Sequence, residues 1–129
     1  MVKYFLDTYA IMEIVNGNKN YEKYLDAELF TSIINLYELY YNLLKEKGKE
    51  TAYSYFYQFK GFLIKYTDEE IFKASEFKLL NRRKNISYTD ALGYAIALVN
   101  NMKFLTGDRE FEDIQNVEFA KWERFVFDL

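Results

Sequence analysis

The chain has 129 residues, the size of one domain, and 50% of them are apolar against 29% charged, which suits a folded core rather than a disordered chain. It contains no Cys, His or Pro, so thiolate and imidazole chemistry, disulfides, Cys- or His-ligated metals and X–Pro switching are all excluded. A net charge of −3 rules out bulk coating of nucleic acid, although a local basic patch can still serve an acidic chain.

The apolar run Lys3–Leu6 ends at Asp7 and reads as a first strand, and Ile11, Ile14 and Val15 follow at helical spacing before Gly17. Asp7 breaks this run too early for a secretory signal, and no stretch approaches the ~20 apolar residues of a membrane helix. The expected location is the cytoplasm. Glu28–Thr31 reads as a second strand. A helix follows from Ile33 to Lys47, with Leu36, Leu39, Tyr40, Leu43 and Leu44 on one stripe, and Gly48 ends it. Residues 49–58 form another predicted helix, rich in Tyr and Phe.

Phe62–Tyr66 reads as a third strand. Thr67 then opens a helix that runs through Leu80, and Asn81–Asn85 is a basic loop. Ser87–Asp90 leads into a helix of small residues, Ala91–Val99, suited to close packing on a sheet. Lys103–Thr106 is the fourth strand, Asp108–Asp113 a short helix and Val117–Ala120 the fifth strand. Strands alternating with helices predict a single α/β domain, a three-layer α/β/α sandwich around a mostly parallel five-stranded sheet.

Open α/β sheets place their sites at the carboxyl ends of the strands, and four acids fall near that edge. Asp7 and Asp108 follow the first and fourth strands, Asp90 opens the small-residue helix, and Glu38 sits about one and a half turns into the helix after strand two. Each also has a structural explanation. Asp7 and Asp108 fit helix N-caps worth roughly 1 kcal/mol each, Ser87 and Asp90 fit a capping box, and Glu38 fits a solvated face. Glu13, Glu69, Glu70 and Glu112 read as surface charges. Convergence changes the energetics, because two carboxylates ~4 Å apart repel by about 4 kcal/mol at an effective dielectric near 20. A hard divalent ion such as Mg2+ or Mn2+ would offset that repulsion, and such a site is suited to phosphodiester hydrolysis.

Leu6-Asp7-Thr8, Tyr37-Glu38-Leu39, Thr89-Asp90-Ala91-Leu92 and the run from Leu105 to Phe111 occur in an order that resembles the PIN-domain ribonucleases, especially VapC-type toxins. Length and element order match over essentially the whole chain. The resemblance implies a Mg2+- or Mn2+-dependent endoribonuclease in which Asp7, Glu38, Asp90 and Asp108 bind metal and activate the attacking water. It also implies that Thr8 and Thr106 steady the pocket. Relatives of this type commonly dimerise and are inhibited by a small antitoxin, often one that places a basic side chain in the pocket. Many carry an Asp where this chain has Glu110.

Arg82, Arg83, Lys84 and Arg109 are candidate RNA contacts, and the first three also suit an ordinary helix C-terminus. The group Tyr40, Tyr41, Tyr53, Tyr55 and Tyr57 is a candidate partner surface. Alternatives are a housekeeping RNA-processing nuclease or a non-catalytic module that binds RNA or protein. A haloacid-dehalogenase-like phosphatase is disfavoured because Tyr9, not Asp, lies two residues after Asp7. Neither a GxGxxG nor a GxxxxGK[ST] run is present, so no dinucleotide or P-loop role is supported.

Overall fold

Lys3–Leu6 forms β1, and its last two residues show why the run is apolar throughout: Phe5 and Leu6 are both fully buried, on opposite faces of the sheet. A strand covered on both sides needs consecutive apolar residues. The computed structural model describes residues 1–120. In chain order β1 is followed by α1 (Thr8–Val15), a 3₁₀ segment (Lys19–Tyr24), β2 (Glu28–Phe30), α2 (Ile33–Lys47), α3 (Lys49–Lys60), α4 (Asp68–Leu80) and α5 (Tyr88–Val99). Then come β3 (Lys103–Thr106), a 3₁₀ turn (Arg109–Phe111) and β4 (Val117–Phe119).

The sheet is parallel, in the order β2-β1-β3-β4. Leu6, Leu36, Leu39 and Leu105 belong to one core with α1, α2 and α3, and Phe5, Phe104, Ala95 and Ile96 belong to the other with α4 and α5. Three layers result, as the alternation of segments predicted. The direction of winding reverses between β1 and β3, the arrangement that opens a crevice at the carboxyl edge of such a sheet.

Among the described residues the sheet has four strands, not the expected five. In the run Phe62–Tyr66 only Leu63 forms a bridge, to Thr31, with Thr31 N–H donating to the Phe62 carbonyl (2.9 Å) and Ile64 N–H to the Thr31 carbonyl (2.9 Å). The reason lies in the neighbour. β2 ends at Phe30 and Ser32 already caps α2, so Thr31 is the one residue left for Leu63 to pair with. The expected helix over Asp108–Asp113 likewise shrinks to the 3₁₀ turn.

Local chemistry sets the helix starts. Ser32 and Ser87 accept backbone N–H bonds at the heads of α2 and α5, and Thr67 donates both its N–H (3.3 Å) and its hydroxyl (2.9 Å) to Glu70. Glu70 is therefore a buried member of a capping box rather than a surface charge. Gly48, at φ 90°, turns the chain between α2 and α3. Gly93 lets α5 lie directly on the sheet, since a Cβ there would sit 2.7 Å from Phe5 Cε1. α4 packs on α5 through the stacked rings of Phe77 and Tyr94, 4.2 Å apart.

Candidate active site

Asp7 leaves the end of β1 fully buried and binds with both oxygens: Oδ1 accepts the Ala10 N–H (2.7 Å) and Oδ2 accepts the Thr106 hydroxyl. Thr106, the last residue of β3, in turn accepts the Asp108 N–H through Oγ1 (3.0 Å). Asp108 caps the following 3₁₀ turn by accepting the Glu110 N–H (3.0 Å). Both aspartates are thus caps, as their positions suggested. Capping occupies one oxygen of each and leaves the carboxylates facing a common groove.

Glu38 reaches this groove from α2. Its Oε1 accepts the Thr8 hydroxyl (2.7 Å), Thr8 Oγ1 accepts Asn35 Nδ2 (3.1 Å), and Asn35 Oδ1 accepts the Ser32 hydroxyl (2.6 Å). The relay orients one carboxylate from a hydroxyl at the head of its own helix. Ser32 and Asn35 escaped the sequence reading, although a signal was present: Ser32, Asn35 and Glu38 recur every three residues beside the apolar stripe of α2. Asn35 is fully buried there.

Asp90 lies in the first turn of α5, where its N–H donates to Ser87 Oγ (3.1 Å). Asp7, Glu38, Asp90 and Asp108, with Thr8, line a single groove of about 990 Å³. Four elements distant in sequence therefore deliver carboxylates to one place. Burial lifts the Asp7 carboxyl well above the usual range, the nearby Asp90 and Asp108 add to this, and the Thr106 and Ala10 hydrogen bonds oppose it. Burial also raises Asp90 to about 6, with Asp108 and Glu38 pushing the same way and Ser87 opposing.

Among the described residues the only ion pair is Lys84–Asp113 (3.0 Å), so no Lys or Arg neutralises the four acids. Nor, among those residues, do three acidic side chains form a ready-made metal cage. The donor set is nonetheless entirely hard carboxylate and hydroxyl oxygen, a chemistry that suits Mg2+ or Mn2+.

Residues 4–117 match the family model described as the PIN domain. The chain belongs to the PIN domain family. Solved structures similar to this PIN domain include toxin–antitoxin complexes. VapBC2 from Rickettsia felis, bound to a DNA fragment from their promoter, is similar with a TM-score of 0.73 at 25% identity, covering 95% of this chain and 100% of that one. DNA-bound VapBC from Salmonella typhimurium gives 0.73 at 21% identity, covering 95% and 99%. VapBC-1 from nontypeable Haemophilus influenzae gives 0.73 at 17%, covering 94% and 98%; these last two similarities establish the fold alone. No curated protein matches the chain.

The basic candidates in this PIN domain lie outside the acid groove lining. Arg82, Arg83 and Lys84 line a separate hollow of about 310 Å³, and Lys84 Nζ also donates to the Glu110 carbonyl (3.2 Å). Arg109 is exposed near Tyr9. Glu110 supports Asp108 through its backbone, and its side chain is not part of the groove lining. Glu13, expected at the surface, is half-buried in the groove wall and accepts Asn18 Nδ2 (2.6 Å). Of the tyrosine group, Tyr40 and Tyr55 pack on the core, whereas Tyr41, Tyr53 and Tyr57 are exposed. Among the described residues no helix is long and apolar enough to cross a membrane.

Proposed function

We propose that the chain is a Mg2+- or Mn2+-dependent endoribonuclease and the toxin of a cytoplasmic toxin–antitoxin pair. The observation that carries this reading is the convergence of Asp7, Glu38, Asp90 and Asp108 on one groove without a neutralising side chain among the described residues. Membership of the PIN family and the toxin–antitoxin neighbours support it.

Asp7, Glu38, Asp90 and Asp108 would hold the ion, and Thr8 and Thr106 would fix two of those carboxylates from behind. A bound divalent ion supplies acidity to a water molecule and positive charge beside the phosphodiester. The protein's part is positional. Thr106 and the Ala10 N–H hold the Asp7 carboxylate, while the relay from Ser32 through Asn35 and Thr8 sets the direction of Glu38. Asp90, titrating near 6, is ionised at neutral pH and available as a ligand. Empty of cation, the groove repels a phosphodiester; neutralised, it admits one.

A basic side chain from an antitoxin would compete for the same acids, giving inhibition by charge replacement. Phe72, Leu79 and Leu80, exposed by 63%, 66% and 81%, lie along α4 and support a homodimer contact. Incubation of the purified chain with single-stranded RNA in Mg2+, Mn2+ or EDTA tests the central reading. Cleavage should require divalent ion and fall at least about 100-fold in Asp7→Asn and Asp90→Asn, with circular dichroism unchanged. Undiminished cleavage by either well-folded variant would remove the assigned roles. RNA binding without cleavage in either metal would leave a non-catalytic module.

A further inference from the structure

We propose that Tyr9, Tyr37 and Tyr41 form a stacking platform that holds unpaired RNA bases at the mouth of the acidic groove. The proposal rests on the nuclease reading and names the side chains that would hold its substrate. All three tyrosines line the groove that holds the four acids, yet they are exposed by 44%, 73% and 58%. Rings so exposed contribute little to the core. Tyr37 and Tyr41 are one turn apart on α2, about 6 Å along the axis, so two exposed rings follow one another along the helix that carries Glu38.

Electrostatics favours contact through the bases rather than the phosphates. Besides the four acids, Glu13 and Glu46 line the groove, and Lys45 is its single cation among the described lining residues. Away from the divalent ion, a polyanion gains little from such a wall. Base faces carry no charge, and stacking on aromatic rings holds unpaired bases regardless of their identity. Lys45 Nζ lies 5.1 Å from the centre of the Tyr41 ring, where it can accompany the sugar–phosphate backbone as a base covers the ring. Bases inside a duplex are already stacked and offer no free face. The cations Arg82, Arg83 and Lys84 line a different hollow and do not serve this path.

Fluorescence anisotropy with a short unstructured RNA and with a hairpin of the same composition tests the platform, in calcium buffer and again in EDTA, with RNA integrity checked on a gel. Wild type should favour the single strand in the buffer that supports binding. Tyr37→Ala and Tyr41→Ala should each weaken that binding about 5- to 150-fold. The Phe variants should stay within about threefold of wild type, and Tyr53→Ala, outside the groove, should match it. In cleavage assays the Ala variants should raise KM with little change in kcat. Equal binding of single strand and hairpin, absence of RNA binding, or unchanged binding in both Ala variants would overturn the platform. Cleavage with no tyrosine dependence would discard the platform and keep the nuclease, whereas tyrosine-dependent binding without cleavage would do the reverse. RNA binding that is unchanged while a basic peptide ligand is lost would reassign the rings to a protein contact.

Discussion

Thr106 and Asp7 stand 99 positions apart, and the hydroxyl of the first donates to the carboxylate of the second across adjacent parallel strands. Thr106 also accepts the Asp108 N–H (3.0 Å), so one buried hydroxyl ties together the two aspartates that follow β1 and β3. Thr106→Val removes both roles and should destabilise the protein by about 1–3 kcal/mol, the cost of leaving buried polar groups unpaired. Urea denaturation measures this. Thr106→Ser should recover most of the loss, and a Val variant as stable as wild type would show that the hydroxyl is dispensable.

Asn35 offers a separable test of the relay to Glu38. Asn35→Ala leaves Ser32 and Thr8 without their shared partner and frees Glu38 to turn. Loss of such outer support commonly weakens metal affinity or activity by 10–100-fold, and about that reduction is expected in Mn2+ affinity measured by titration calorimetry. Thermal unfolding should show a folded protein. Wild-type Mn2+ affinity in this variant would detach the relay from the site.

Gly107 holds the turn between Thr106 and Asp108 under two tyrosines. A Cβ at Gly107 would lie 2.5 Å from Tyr9 Cε1 and 2.8 Å from Tyr21 Oη. Tyr9 is exposed and can swing away, but the Tyr21 ring is buried, with a hydroxyl that finds no partner among the described residues. Gly107→Ala should cost about 1–3 kcal/mol through overpacking. Combining it with Tyr21→Phe removes one of the two clashing atoms together with an unsatisfied hydroxyl. The double variant should therefore be more stable than Gly107→Ala alone, by chemical denaturation. Strictly additive losses would locate the strain elsewhere.

Acid pH should favour the metal-free fold. Asp7 and Asp90 hold protons more tightly in the native state than in the unfolded chain, so their contribution is complete below about pH 4, the unfolded carboxyl value. It fades as pH rises, through about 6 in the case of Asp90. For Asp90 the loss amounts to at most about 3 kcal/mol, roughly two pKa units at 1.36 kcal/mol each. Calorimetric Tm values of metal-free protein should fall from pH 4 to 7, and Asp90→Asn should flatten that fall. Mn2+ should raise Tm more at pH 7 than at pH 5, because protons and the ion compete for the same oxygens. Parallel curves for wild type and Asp90→Asn would exclude Asp90 as a source of the dependence.

Much of the architecture was legible along the chain because its causes are local. A Ser or Thr three residues ahead of a receptive N–H, an apolar stripe ending at Gly48, and consecutive apolar residues in β1 and β3 act within a few positions. Those features sufficed for Ile33–Lys47 and for the three layers, and the acids at strand ends could be picked out by position. Local patterns do not reveal what stands beside a segment. Phe62–Tyr66 has a strand's composition but only Thr31 to pair with, and Glu70 has a surface residue's charge but lies buried under Thr67. The strand order alone decides that Asp7 and Asp108 become neighbours and that Asn35 meets Thr8 across 27 positions. The same packing sorts the tyrosines, burying Tyr40 and Tyr55 against the core while Tyr37 and Tyr41 open onto the acids. Short-range hydrogen bonds and periodicity can choose an element. Only the closing of the sheet can choose its companions, because each companion is supplied by a part of the chain that no local interaction reaches.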